Sequence, residues 1–127
     1  AQNMREGTKT RSIKRATKTG IARTLNSARI PKAGYIPSKM VRGYGTVKHG
    51  YTIKQLGNDL IVEYDNLADY VATYKRSQED IRAEKAEKTV RWKMWLNEIY
   101  SILTQKGYTA TLEDNRVVVH NEVVVGE

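Results

Sequence analysis

The distribution of charge along the chain limits its fold more than any other feature. The chain has 127 residues, and between Glu6 and Asp59 it contains 12 Lys and Arg residues and no acid. Residues 1–49 carry a net charge of +11, whereas residues 50–127 carry −3. A segment with so much uncompensated charge and little apolar content buries too little surface to fold by itself. The sequence therefore predicts a basic non-globular arm over residues 1–49 and a small body over residues 50–127.

The local chemistry of the arm supports this division. Residues 8–29 are rich in Thr, Ser, Lys and Arg, and an isolated segment of this kind is a poor helix former in water. Residues 30–50 contain both prolines of the chain, Pro31 and Pro37, which favour an extended path. We predict that the arm is disordered alone and becomes ordered on binding.

The arm combines cations with apolar side chains at intervals, which is typical of docking onto a large partner. A solvated tail, a transit peptide and a nuclear localisation signal are less favoured, since a tail has no use for so many apolar residues and the basic clusters are dispersed. We expect the cations to neutralise phosphates, and Tyr35 and Tyr44 to stack on bases. The predicted polyanion-binding residues are Arg5, Lys9, Arg11, Lys14, Arg15, Lys18, Arg23, Arg29, Lys32, Lys39 and Arg42. The predicted apolar anchors are Ile13, Ile21, Leu25, Ile30, Tyr35, Ile36, Met40 and Tyr44.

Two β-hairpins are predicted in the body. Residues 51–56 and 60–64 flank a Gly-Asn-Asp turn, and residues 108–112 and 116–120 flank a Glu-Asp-Asn turn. The sequence Gly-Tyr-Thr at residues 50–52 recurs at residues 107–109, an offset of 57 that also relates Asn58 to Asn115. This likeness suggests a duplicated ββ unit, although turn chemistry alone could produce it.

Residues 67–106 contain neither Gly nor Pro and are predicted to be helical, with Asn66 as the N-cap. The sequence leaves open whether they form one helix or two, and it favours a helical hairpin or a protruding helix with residues 75–88 exposed. The fold class is therefore α+β: hairpin, long helical segment, hairpin. Apolar stripes and the valine triplets predict core or subunit-interface positions. The predicted interface residues are Trp92, Trp95, Ile99, Val117 and Val119.

No catalytic or metal-binding motif is present. There are no cysteines, and the two histidines, His49 and His120, do not have metal-ligand spacing. Nucleotide-binding glycine motifs are missing, and no nucleophile has a recognisable base beside it. No apolar run is long enough to span a membrane, and no secretory signal is recognised. We therefore expect a non-enzymatic protein without a cofactor, a metal site or a membrane partner, which is not secreted through a signal peptide.

In composition alone, the arm resembles the basic extensions of ribosomal and virion proteins. Together with the small body, it predicts a structural component of a large nucleoprotein assembly, in a virion or a cytoplasmic nucleoprotein particle. A virion or capsid is favoured over a ribosome because the acidic body suits a protein lattice. The expected partners are other subunits of that assembly and nucleic acid, with the chain oligomeric in context. The alternative is a DNA- or RNA-binding accessory protein that uses the arm in solution.

Overall fold

The computed structural model describes residues 9–11, 13–121 and 123–125. Its architecture is α+β, with β-hairpins and one long helix. In chain order the elements are β1 (Lys9–Arg11), α1 (Lys18–Ser27), β2 (Gly34–Pro37), β3 (Gly45–Lys48), β4 (Tyr51–Leu56), β5 (Asp59–Tyr64), a 3₁₀ turn (Leu67–Tyr70), α2 (Gln78–Gln105), β6 (Thr109–Leu112), β7 (Val117–His120) and β8 (Val123–Val125).

The two predicted hairpins combine into one antiparallel sheet of order β4-β5-β7-β6. In the first hairpin, Leu56 pairs with Asp59 across a two-residue turn, where Gly57 adopts a φ of 60°. Such a turn favours glycine because a side chain is strained at positive φ. The inner strands β5 and β7 join the hairpins through the pairs Leu60–Val119 and Val62–Val117. The valines of residues 117–119 therefore occupy a central strand.

Both helices pack on one face of this sheet. Ile21 and Leu25 of α1 are buried in one cluster with Leu96, Ile99 and Leu103 of α2. The spacing of these apolar positions, three or four residues apart, places each set on one side of its helix. The sheet contributes six residues to this cluster, and Tyr108, which directly precedes β6, contributes a seventh. The six sheet residues are Tyr51, Leu60, Val62, Tyr64, Val117 and Val119.

The helical segment that was predicted over residues 67–106 is divided into a 3₁₀ turn and one long helix. Asn66 does act as a cap, because its side chain accepts a hydrogen bond from the Ala68 N–H. The turn ends after Tyr70, and α2 begins only after Ser77, whose Oγ accepts from the Asp80 N–H at 3.0 Å. Lys75 lies between them with a φ of 55°, a conformation that interrupts a helix.

The chain contains two αββ units, the first formed by α1, β4 and β5 and the second by α2, β6 and β7. An approximate two-fold axis relates them. Ile61 and Val118 face each other across β5 and β7 and are themselves 57 positions apart, so the sequence offset coincides with the symmetry of the sheet. The helix ends also match. After α1 the Ile30 N–H donates to the Leu25 carbonyl, and after α2 the Tyr108 N–H donates to the Leu103 carbonyl, each at 3.0 Å.

The first unit contains an insertion that the second lacks. The matching helix ends are 78 positions apart and the matching hairpins 57, so the first unit has 21 additional residues between α1 and β4. The insertion leaves and returns at one point: the Tyr51 N–H donates to the Pro31 carbonyl at 2.9 Å, and the Ala33 N–H donates to the Tyr51 carbonyl at 3.0 Å. Within it, β2 and β3 form a separate antiparallel pair.

The structure differs from the predicted division at residue 49. Residues 16–30 belong to the folded body, because Ala16, Ile21, Leu25 and Ile30 are buried in its core. The prediction of a non-globular segment underestimated tertiary packing: a short helix that is unstable alone is stabilised once its apolar side is covered. Among the described residues of the predicted arm, the inserted hairpin of β2 and β3 forms a pair separate from the main sheet.

The predicted interface residues are largely core residues. Ile99, Val117 and Val119 are completely buried within the chain itself and are not accessible to a partner. Trp92 and Trp95 are half-buried against the same core. The Trp92 Nε1–H donates to the Tyr64 carbonyl at 2.7 Å, and the Trp95 ring stacks on the Tyr64 ring with centroids 5.2 Å apart.

Candidate nucleic-acid interface

The cations between residues 13 and 49 lie on the surface without acidic partners. Every Lys and Arg in this range is exposed. Within the part of the chain whose side chains are described, residues 13–121, none of them forms an ion pair. Of the ten Lys and Arg residues of the body, five form ion pairs, among them Lys54 with Glu63 at 2.9 Å and Arg116 with Glu113 at 2.7 Å. The positive charge of residues 13–49 therefore remains available to an external anion.

Helix α1 carries part of this charge on its outer side. It begins at Thr17, whose Oγ1 accepts from the Gly20 N–H at 3.0 Å. Its inner side is fixed by two buried apolar residues, which directs Lys18 and Arg23 to solvent. Beyond its last turn Arg29 adopts a φ of 63°, where the second unit has Gly107 with a φ of 102°.

A cleft of about 620 Å³ lies between α1 and the end of α2. Arg23 and Lys106 line it together with the hydroxyl-bearing residues Thr24 and Ser27, and no acid takes part. Lys14 lies beside Lys106, because its Nζ donates to the Lys106 carbonyl at 3.0 Å. The same Nζ lies 4.5 Å from the centroid of the Tyr108 ring, which also lines the cleft.

A second cleft of about 400 Å³ is lined by the opposite side of α1. Lys18 and Lys32 line it, again without an acid, and Tyr51 contributes to its wall. Burial raises the pKa of Tyr51. The phenol therefore stays protonated and donates to Asn26 Oδ1 at 2.8 Å, which ties the start of β4 to α1. We call Lys14, Lys18, Arg23, Lys32 and Lys106 the basic surface.

The insertion continues from the second cleft as a ribbon, defined here as residues 34–48. All eight positions of β2 and β3 are exposed. In register, Tyr35 faces Val47 and Pro37 faces Gly45. A Cβ at Gly45 would lie 2.5 Å from the Tyr35 ring, so this glycine allows the tyrosine to lie across the ribbon.

The base of the ribbon is closely packed. A Cβ at Gly50 would lie 2.4 Å from the Pro31 carbonyl oxygen, so only glycine permits the two chain segments to approach here. Next to it, the His49 ring packs against the Tyr70 ring with centroids 4.2 Å apart. His49 Nδ1 is 3.7 Å from the Asp65 carboxylate, which is too long for a hydrogen bond.

The predicted phosphate-binding residues fall into several groups. Those of the basic surface are brought together around α1, whereas Lys39 and Arg42 lie at the tip of the ribbon. Arg29 lies apart, in a cleft with Arg91 and Glu98. Arg15 is exposed, Arg5 lies outside the described residues, and Lys9 and Arg11 are described only through the backbone of β1.

Two relevant cations were missed by the sequence interpretation. Lys106 was not among the predicted phosphate-binding residues, because its proximity to Arg23 depends on the packing of α2 against α1. Lys48 was omitted although it is an exposed residue of β3. The absence of nearby acids in the sequence was the signal that could have identified Lys48.

The predicted apolar anchors divide into buried and exposed sets. Ile21, Leu25 and Ile30 are core residues, so they cannot enter the crevices of a partner, and Ile13 is half-buried. The remaining four, Tyr35, Ile36, Met40 and Tyr44, are exposed on the ribbon.

Among residues 13–121, no group of three or more His, Asp or Glu side chains could hold a metal ion. No helix in the described ranges is long and apolar enough to cross a membrane. His120 contacts Thr111 at 2.9 Å and Asp59 at 3.4 Å on the sheet. No protein-family model, curated protein or solved structure matches the chain.

Proposed function

We propose that the protein is a non-enzymatic structural component of a nucleoprotein assembly and that it contacts nucleic-acid phosphates through the basic surface and the ribbon. The observation that carries this proposal is the set of exposed cations between residues 13 and 49 without an ion-pair partner among the described side chains. A polyanion supplies the missing countercharge, and binding releases its condensed counterions.

The arrangement of the cations favours a polymer over a small anion. The two clefts lie on either side of α1, and the ribbon extends the charged area beyond the second cleft. Phosphates recur at short intervals along a nucleic acid, so one strand can contact successive cations along such a path. A virion is favoured over a ribosome because residues 50–127 carry a net charge of −3, which suits contact with protein neighbours.

The test measures binding of the full chain to a fluorescein-labelled 30-base-pair DNA duplex over a salt series. If about five cations contact phosphates, the logarithm of the association constant falls with the logarithm of salt concentration at a slope of about −4.5. The double substitution Lys18→Gln and Arg23→Gln removes two contacts. It should reduce the slope by about 1.8 and, at about 0.1 M salt, weaken binding roughly 50-fold.

A matched control removes the same charge from an exposed part of α2. The double substitution Arg82→Gln and Lys85→Gln alters two exposed cations outside the basic surface. Its salt slope should equal that of the unmodified chain. Equal slopes for the control and the α1 variant would contradict the assignment of the basic surface.

The alternative is an accessory protein that binds nucleic acid in solution, and the exposure of the basic surface on a single folded chain favours it. The two functions differ in how the protein would be held in a particle. A structural component stays in isolated native particles after a nuclease and high-salt wash, because protein contacts hold it there. An accessory protein is released by the same treatment.

A further inference from the structure

The tip of the ribbon is an ordered turn. The Ser38 Oγ accepts hydrogen bonds from the Met40 and Val41 N–H groups, each at 3.1 Å. The Ser38 N–H donates to the Tyr44 carbonyl at 2.7 Å and closes the turn. Gly43 adopts a φ of 86°, which its lack of a side chain permits. These hydrogen bonds hold the backbone of the turn, from which the side chains of residues 39–42 extend.

The tip presents a methionine that is the most exposed large apolar residue among the described side chains. Met40 is 92% exposed, and the adjacent Val41 is also exposed. Lys39 and Arg42 flank the pair directly. An apolar wedge between two cations matches the requirements of a nucleic-acid groove, where the cations meet phosphates and the wedge meets base pairs.

The size and charge of the ribbon are consistent with such a site. Two paired strands lie about 4.8 Å apart, and β-ribbons are slender enough to enter DNA grooves. Near the tip the strands carry Pro37 and Gly45 as a pair, which adds little bulk. Lys32 and Lys48 lie at the base, and no acid occurs between Glu6 and Asp59.

We propose that the ribbon enters the minor groove of B-form DNA and that Met40 wedges between adjacent base pairs, kinking the duplex. This inference rests on the proposed function, since the basic surface supplies the binding on which insertion depends. Apolar wedges inserted from the minor groove unstack a base step and bend DNA by about 20–90°. The minor groove of A-form RNA is wide and shallow, so it would not enclose the tip.

The experiment measures bending and unstacking separately from affinity. The full chain is added to a 30-base-pair DNA duplex with a fluorescent donor and acceptor at its ends, and to duplexes with 2-aminopurine at successive positions. The unmodified chain should raise energy transfer and brighten 2-aminopurine at an unstacked step. Met40→Ser should abolish both signals while its affinity stays within about threefold, because phosphate contacts dominate binding.

Two further variants control for the choice of residue and for folding. Met94→Ser changes another exposed methionine, on α2, and should leave bending unchanged. Replacing residues 38–44 by Asn-Gly joins the paired residues Pro37 and Gly45 through a two-residue hairpin turn. This tipless chain should retain the folded body and the basic surface but should not bend DNA.

The outcomes separate this inference from the proposed function. If Met40→Ser and the tipless chain bind but bend DNA like the unmodified chain, the wedge is refuted and the basic surface stands. The wedge is likewise refuted if the tipless chain binds and bends DNA like the unmodified chain but no longer joins particles. In that case the tip contacts a protein. Equal unstacking of an RNA duplex would refute minor-groove recognition of DNA. If the unmodified chain binds no nucleic acid, both proposals fail.

Discussion

Substituting Leu25 with alanine tests whether α1 belongs to the folded body. Leu25 is 0% exposed and lies in the common core cluster. Removing a fully buried leucine side chain loses its transfer free energy and leaves a cavity, which costs about 3 kcal/mol. For a domain of this size, each kcal/mol lowers the melting temperature by about 4 °C, so Leu25→Ala should lower it by about 12 °C.

Urea unfolding followed by tryptophan fluorescence measures this loss. Trp92 and Trp95 pack against the core, so their emission reports its disruption. With a slope of about 1.5–2 kcal/mol per molar urea, the midpoint should fall by about 1.5–2 M. Leu56→Ala is the matched control: Leu56 is 57% exposed, so the same chemical change should cost about 1 kcal/mol or less.

Equal free energies of unfolding for Leu25→Ala and Leu56→Ala would contradict the placement of α1 in the core. A truncation that removes residues 1–49 tests the same placement of α1 with a larger perturbation. That truncation deletes Ile21, Leu25 and Ile30 from the core, a combined loss of roughly 9 kcal/mol, which is comparable with the whole stability of a small domain. Residues 50–127 alone should therefore lack a cooperative unfolding transition. Consequently, point substitutions are more informative than truncation about the function of the basic segment.

Three further predictions concern local contacts. Asn121→Ala should lower the free energy of unfolding in urea by about 2 kcal/mol, because the amide accepts from the Ala16 N–H and donates to the Ala16 carbonyl. Gly50→Ala should cost about 3 kcal/mol in the same assay, since the added Cβ would collide with backbone atoms. Hydrogen bonding to Arg76 holds the pKa of Glu84 below its ordinary value, so Arg76→Ala should raise that pKa in an NMR titration. The stabilising effect of this pair is present at neutral pH and is lost as the pH falls through the lowered pKa.

The hairpins of the sheet could be predicted because their signals are local. Alternating apolar residues and a Gly-containing turn define β4 and β5, and the structure confirms both strands. The predicted helical start at Asn66 was less reliable, since the same cap serves a single 3₁₀ turn. No Gly or Pro occurs near Lys75, so the interruption of the helix there could not be predicted from the sequence.

Helix α1 shows why the site was predicted only in part. Its cations were identified, but its Thr-rich composition suggested disorder. The available signal was the four-residue spacing of Ile21 and Leu25 after the cap at Thr17. That signal is weak in a ten-residue helix, whose stability comes from packing against distant residues. The grouping of Arg23 with Lys106 likewise depends on tertiary structure.

The pairing of β5 with β7 has a consequence for the origin of the sheet. Each αββ unit alone would expose its inner strand as an unpaired edge, and the two-fold relation means that such an edge can recognise its own copy. Two separate units would therefore depend on protein concentration for their association. Joining them in one chain replaces that dependence with a high effective concentration, so the pairing no longer depends on protein concentration. Once the units are fused, one of them can acquire an insertion while the other remains unchanged, which is a freedom that identical subunits do not have.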